Sequence, residues 1–189
     1  MNYYLTEYER QGGLLPSFRP HLKHLIATID LNFPHIAEPT LVELGAGSGE
    51  IVSFLAHSRP MNCLAIDMSP NAFANLSPNV TPLRTTIAKA KIRGPVHAIH
   101  AKDLTDNMRK FEDLLKIIEP WVMHNTLFML TYFIDLVGGH QTNSIAEKAG
   151  WKVVSESVWT PTSEEVYKDW YPAFPATRNV VIFQKVSSK

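Results

Sequence analysis

The stretch Thr40-Leu41-Val42-Glu43-Leu44-Gly45-Ala46-Gly47-Ser48-Gly49-Glu50 decides how this chain is read. Its first five residues are a short, mostly apolar run, as expected of a buried strand. Three glycines at alternate positions follow. They let the backbone turn sharply and approach a ligand closely. Ile51, Val52, Leu55 and Ala56 then repeat at helical spacing, so the turn opens a helix whose first N–H groups are unpaired. The loop is similar to a dinucleotide-binding fingerprint but departs at one place. That fingerprint needs Gly or Ala three residues after Gly47, and here stands Glu50. A carboxylate at the helix start repels a pyrophosphate, so the loop suits a ligand without phosphate. Glu43 lies inside the apolar strand, where an unpaired carboxylate is costly. A partner must exist, and a cationic ligand group is one candidate.

Outward from this loop the pattern alternates. Asn62–Ile66 is a second strand ending in Asp67, 22 residues after Gly45, followed by a short segment from Pro70 to Leu76. A carboxylate at Asp67 can accept both hydroxyls of a ribose, and Met68 can lie against a flat base. A third, weaker strand spans Val80 to Arg84 and a fourth Val96 to Ile99. The clearest helix carries Met108, Phe111, Leu114, Leu115 and Ile118, with Asp106 as N-cap and Glu119-Pro120 as its stop. Leu127–Ile134 is a fifth strand. A helix opening at Thr142-Asn143 closes on Gly150. A sixth strand runs from Val153 to Trp159, and Val180–Phe183 is the seventh. No helical pattern lies between the last two, so residues 160–178 join a hairpin. The expected fold is α/β: a three-layer sandwich with a seven-stranded, mostly parallel sheet and one antiparallel strand in a C-terminal hairpin. Residues 1–39 form an N-terminal helical segment or lid, with Leu22, Leu25, Ile26 and Ile29 on one helix face. Residues 40–189 form the main unit of a single globular domain.

Composition narrows the function. In 189 residues, 18 Lys+Arg balance 18 Asp+Glu, without the electrostatic footprint of a general nucleic-acid binder. Cys63 is the single cysteine, which excludes an internal disulfide and a thiolate cluster. Of eight histidines, His97 and His100 come nearest to a metal-ligand spacing, but on a strand, so no metal site is expected. The start of the chain does not read as a signal peptide, and the most apolar segment, Thr126 to Val137, is shorter than a bilayer span. The expected compartment is the cytoplasm, with no membrane partner.

Glu-x-Gly-x-Gly-x-Gly, a strand-ending Asp67 and seven strands with a final hairpin resemble the class I S-adenosylmethionine-dependent methyltransferases over roughly residues 40 to 186. The resemblance implies S-adenosyl-L-methionine as cofactor and S-adenosylhomocysteine as product. It implies that Gly45, Ala46, Gly47 and Gly49 hold the amino-acid end, that Glu43 assists near the methionine amino group, that Asp67 binds the ribose and that Met68 packs on adenine. The family often has an Asp after the third strand for the adenine amino group. Here Thr85 or Thr86 stands in that region, and Thr86 is taken as the substitute. After the fourth strand, Ile99-His100-Ala101-Lys102-Asp103 replaces the Asn/Asp-Pro-Pro-Tyr of base-amino methylating members, which argues against a nucleic-acid acceptor. The signatures of the related aminopropyl transferases are absent.

The resemblance implies methyl transfer to an O or N nucleophile. A small-molecule acceptor is the first reading. A protein side chain or amino terminus is the alternative, as is a catalytically silent scaffold or binding subunit. His100, then Asp103, are the candidate bases at the end of the fourth strand. Each residue has a plainer reading. The glycine loop can be a structural turn, Asp67 a cap for the segment after it, and His100 to Asp103 a solvated loop with Lys102. His124 and His140 read as surface or structural groups. Tyr167, Trp170, Tyr171 and Phe174 suit either a flat acceptor or packing on a sheet edge. Tyr3, Tyr4 and Tyr8 belong to a lid or to a docked N-terminal segment.

Overall fold

The computed structural model describes residues 14, 16–102, 104, 108–133, 139–162, 165 and 177–186. Seven strands form one sheet: β1 (Thr40–Leu44), β2 (Asn62–Asp67), β3 (Val80–Arg84), β4 (Val96–Lys102), β5 (Val122–Phe133), β6 (Trp151–Trp159) and β7 (Arg178–Lys185). Their order is β3-β2-β1-β4-β5-β7-β6. β1 to β5 run parallel, and β7 inserts antiparallel between β5 and β6. The chain steps outward from β1 to β3 and then returns to β4 on the other side of β1. The strand order therefore reverses between β1 and β4, the place where open sheets of this type form a ligand crevice outside the carboxyl ends.

Four α-helices among the described residues make the outer layers: α1 (Arg19–Asn32), α2 (Glu50–Ser58), α3 (Met108–Ile118) and α4 (Gly139–Lys148). Pro20 sits in the first turn of α1, where its missing N–H costs nothing. Leu22, Leu25 and Ile29 of that helix are buried beside Ile51, Val52 and Leu55 of α2, against Leu41, Ala65, Met129 and Ile182 of the sheet. On the other face Phe111, Leu114, Leu115 and Ile118 of α3 and Ala146 of α4 cover Val42, Ile99, Phe128, Leu130 and Phe183. The N-terminal helix is thus part of the core. None of the described helices is long and apolar enough to cross a membrane.

Several boundaries differ from the sequence reading. β5 begins at Val122, ahead of Leu127, because the pairing with β4 jumps from Val96↔Val122 to Ala98↔Leu127. Asn125 takes φ 71° inside that irregularity. Thr126 Oγ1 closes it, accepting from the Met123 N–H (2.9 Å) and donating to Val96 O (2.7 Å). α4 starts at Gly139, ahead of the expected Thr142, and β6 at Trp151, ahead of Val153. The segment after β2 is a series of turns with Phe73 at φ 73°. Asp103, Asp106, Tyr3, Tyr4, Tyr8, Tyr167, Trp170, Tyr171 and Phe174 lie outside the described residues, as does the side chain of His140.

Candidate functional site

The parallel register sets Leu44 beside Ile66, so the glycine turn and Asp67 emerge side by side. Gly45, Gly47 and Gly49 all have positive φ (67°, 52° and 87°), a conformation that other residues adopt only with strain. A Cβ on Gly45 would sit 2.4 Å from Leu104 Cδ2, and one on Gly49 would sit 2.6 Å from Leu76 Cδ1. The loop is fixed from several sides. Ala46 N–H donates to Ile66 O (3.0 Å), Phe73 N–H to Gly47 O and Asn75 N–H to Ser48 O (both 2.8 Å). Asp67 closes the cradle. Its Oδ2 accepts the Gly47 N–H at 2.9 Å and its Oδ1 the Ser69 N–H at 2.8 Å. Each carboxylate oxygen keeps a further lone pair for a ligand. Met68 beside it is 70% exposed, an apolar surface at the lip of the crevice. The Thr85 N–H donates to Asp67 O (3.0 Å), and Thr86 caps a short 3₁₀ turn at Ile87–Lys89. The residues just past β3 therefore flank the same edge.

Glu43 and His100 are register partners on β1 and β4, where the strand order reverses. His100 Nδ1 and Glu43 Oε1 lie 3.0 Å apart, with the ring 0% and the acid 2% exposed. A carboxylate only accepts, so Nδ1 carries the proton of this bond. Breaking a buried charge-bearing pair of this kind costs about 3–5 kcal/mol, because the remaining group is left alone in the core. Two atoms of the pair, Glu43 Oε2 and His100 Nε2, are buried with no hydrogen-bond partner among the described residues, and so is Ser48 Oγ in the loop. Burial and the Glu43 charge push the Cys63 thiol up to about 12.

The sequence reading did not foresee what surrounds this edge. Glu50 turns both oxygens inward, one to the Leu14 N–H (2.7 Å) and one to Asn75 Nδ2 (2.6 Å). The Ser17 N–H donates to Glu165 Oε1 and the Thr162 N–H to Glu165 Oε2, each at 2.8 Å. Trp159 Nε1–H donates to Ser17 Oγ (2.8 Å). Phe18 packs between the Trp159 ring (4.7 Å) and the His100 ring (6.2 Å). The chain before α1 and the chain after β6 are thus tied together beside the crevice. Glu50 carried a legible signal, an acid at a helix start; Glu165 carried none. Lys102 places its Nζ 5.7 Å from the Trp159 ring. His97 stands at the other end of β4, where its Nδ1 accepts the Thr40 N–H (2.9 Å) beside Phe33. Burial holds its pKa below the usual value. His124 is exposed. Among the described residues no cluster of His, Cys, Asp and Glu could hold a metal ion.

No model of a protein family and no curated protein sequence matches the chain. Solved structures do. The N-methyltransferase NodS from Bradyrhizobium japonicum WM9, in complex with S-adenosylhomocysteine, matches at TM-score 0.65 and 12% identity, over 92% of this chain and 89% of that one. Magnesium protoporphyrin IX methyltransferase from Synechocystis PCC 6803, with bound S-adenosylmethionine, matches at TM-score 0.67 and 8% identity, over 89% and 80%. The 1,6-didemethyltoxoflavin-N1-methyltransferase from Burkholderia thailandensis, with 1,6-didemethyltoxoflavin and S-adenosylhomocysteine bound, matches at TM-score 0.64 and 10% identity, over 91% and 79%. The chain has the fold of the class I S-adenosylmethionine-dependent methyltransferases.

Proposed function

We propose that this chain is an S-adenosylmethionine-dependent methyltransferase acting on an O or N nucleophile of a small molecule. One observation carries the reading: the Asp67 carboxylate lies within hydrogen-bond distance of the Gly47 N–H, so a sugar grip and an amino-acid cradle share one edge. The residues fit the cofactor's parts. Glu43 Oε2 is a buried acceptor without a partner, suited to an ammonium. Ser48 Oγ is a buried hydroxyl without a partner, suited to donate to a carboxylate. Side chains at Gly45 and Gly49 would collide with Leu104 and Leu76, so both positions need bare backbone. Asp67 has the free lone pairs for two ribose hydroxyls, Met68 the exposed apolar surface for a base, and Thr86 the position for its amino group.

When bound, the cofactor supplies an electrophilic methyl on a sulfonium and leaves as S-adenosylhomocysteine. The protein's task is alignment. Holding the two reactants in line contributes a large part of the barrier reduction in such displacements. Phe18 and Trp159, both buried beside the crevice, supply apolar walls that keep water out. An acceptor amine must arrive neutral, and a hydroxyl must lose its proton during transfer. Support for a small acceptor comes from structural neighbours that act on one, among them the N1-methyltransferase with 1,6-didemethyltoxoflavin bound.

The test is calorimetry with S-adenosylhomocysteine, followed by incubation of the chain with methyl-labelled S-adenosylmethionine and a cell extract. Label in the small-molecule fraction is the expected outcome. Label in protein would move the acceptor to a polypeptide. No binding at millimolar ligand would defeat the enzymatic reading and leave a scaffold.

A further inference from the structure

We propose that His100 is a positioning residue: it locks the Glu43 carboxylate so that Oε2 meets the ammonium of the cofactor's amino-acid end. This rests on the methyltransferase reading and adds a residue to it. The sequence alone made His100 the first candidate for a base. Its surroundings give it another task.

A free glutamate in a strand can rotate its carboxylate among several orientations, each aiming a different oxygen at a ligand. Here one oxygen is committed. β1 and β4 are neighbouring parallel strands, and Glu43 and His100 stand opposite each other in register. Their side chains leave the same sheet face, and His100 Nδ1 reaches Glu43 Oε1 at 3.0 Å. Oε2 is then the oxygen left over, buried and without a partner among the described residues, two residues before the Gly45 turn. A carboxylate oxygen in that condition is costly unless a donor arrives. Ser48 Oγ, also buried and unpartnered, lies on the far side of the same turn. An acceptor before the turn and a hydroxyl donor within it complement a zwitterion.

His100 is poorly placed to serve an acceptor directly. It lies two residues inside the end of β4, its residue is 0% exposed, and the Phe18 ring sits 6.2 Å from its own. Nε2 is buried, so proton transfer there would need the packing around the ring to open, and Phe18 in that packing adjoins Ser17, which is tied to Glu165 and Trp159. Orientation of Glu43 uses a contact already formed, between Nδ1 and Oε1.

The experiment compares two probes by calorimetry: S-adenosylhomocysteine, which has the amino-acid end, and 5′-methylthioadenosine, which lacks it. His100→Leu should weaken S-adenosylhomocysteine about tenfold to a hundredfold, the range of one charge-assisted hydrogen bond. Methylthioadenosine binding should stay within about threefold of the parent, less than such a bond is worth. His100→Asn keeps an N–H near the Nδ1 position and should restore most of the loss. Should His100→Leu fail to fold, Glu43→Gln decides. His100 would hold the amide oxygen and turn the amide NH₂ toward the ammonium, so the same selective loss is expected in an isosteric side chain. Equal weakening of both probes would overturn the inference in favour of general damage, and no weakening of either would overturn it outright. Unchanged affinities with a collapsed kcat at saturating cofactor would return His100 to the role of base. A parent chain that binds neither probe would remove the methyltransferase reading as well, and is thereby told apart.

Discussion

Asp67→Ala separates the two tasks open to this carboxylate. One is structural: Oδ2 and Oδ1 accept the Gly47 and Ser69 N–H groups at 2.9 and 2.8 Å. The other is the proposed grip on two ribose hydroxyls. Hydrogen bonds to a charged group contribute about 1.5–3 kcal/mol each. Loss of two ligand bonds is then about 3–6 kcal/mol, which raises Kd roughly a hundredfold to ten-thousandfold. Loss of the two loop bonds is milder, because both amides are only part-buried and water can replace the carboxylate; about 1–3 kcal/mol of stability is expected to go. A cycle isolates the first effect from the second. S-adenosylhomocysteine and its 2′,3′-dideoxy analogue are titrated into the parent and into Asp67→Ala, with thermal unfolding as the check on the loop. The parent should prefer the natural sugar strongly, and the variant should not distinguish the two. If Asp67→Ala weakens both ligands by the same factor, the carboxylate only braces the loop, and the ribose assignment is refuted.

Gly45→Ala should cost about 1–2 kcal/mol for a left-handed alanine, since φ is +67°, and more for the 2.4 Å approach to Leu104 Cδ2. Adding Leu104→Ala should recover only the second part, as read by chemical denaturation. At Glu165, partial burial pulls the pKa up, but hydrogen bonds from Ser17 and Thr162 outweigh it and bring it down to about 2. A carboxylate depressed from the usual 4.5 favours the tied arrangement above that pH and loses the contribution as pH falls toward 2. The Trp159 indole N–H resonance should therefore hold its position at neutral pH and shift between pH 4.5 and 2, and Glu165→Gln should show the shifted position throughout. Cys63, with its thiol raised to about 12 by burial and by Glu43, should resist alkylation in the native protein and react in step with unfolding in urea. Alkylation at native conditions as fast as that of a free thiol would show the β1–β2 face to be open.

Most strands were legible as apolar runs bounded by turn residues, and the weaker, largely exposed β3 still spans Val80 to Arg84 as its sequence suggests. The glycine turn was legible because only bare backbone takes three positive φ values in five residues. The meeting of Gly47 with Asp67 was legible once β1 and β2 were taken as parallel neighbours. What sequence could not show is contact across long separations. The sequence put His100 at the end of a strand that in fact continues to Lys102, and its partner, 57 residues away, follows from register and not from spacing. The tie between Ser17 and Glu165 spans 148 residues and leaves no periodic trace. The start of β5 was missed for a different reason. After Val122 the polar pair His124-Asn125 interrupts the apolar pattern, in the stretch where the register with β4 shifts.

On the proposed function, the charges around the glycine turn favour one kind of ligand over another. Glu43 precedes it, Glu50 follows it and Asp67 stands beside it, three carboxylates about a single turn. At an effective dielectric near 20, two unit charges 8 Å apart interact by about 2 kcal/mol, so a doubly charged pyrophosphate would meet a repulsion that one helix end cannot offset. Glu50 also removes much of that attraction, since it sits in the first turn of α2 and adds negative charge where the helix end is positive. A ligand with an ammonium beside a carboxylate and a sulfonium nearby meets the opposite balance. On the proposed function its two positive centres would balance the three acids, and its single carboxylate would have the loop amides and Ser48 Oγ to meet. Glu50, being held by Leu14 and Asn75, would contribute this field from a fixed position, and the same two bonds join the segment before α1 to the turns after β2. On the proposed function one side chain would disfavour phosphate electrostatically while it ties the segment before α1 to the turns after β2, so the position that breaks the dinucleotide fingerprint also joins the two segments beside the glycine turn.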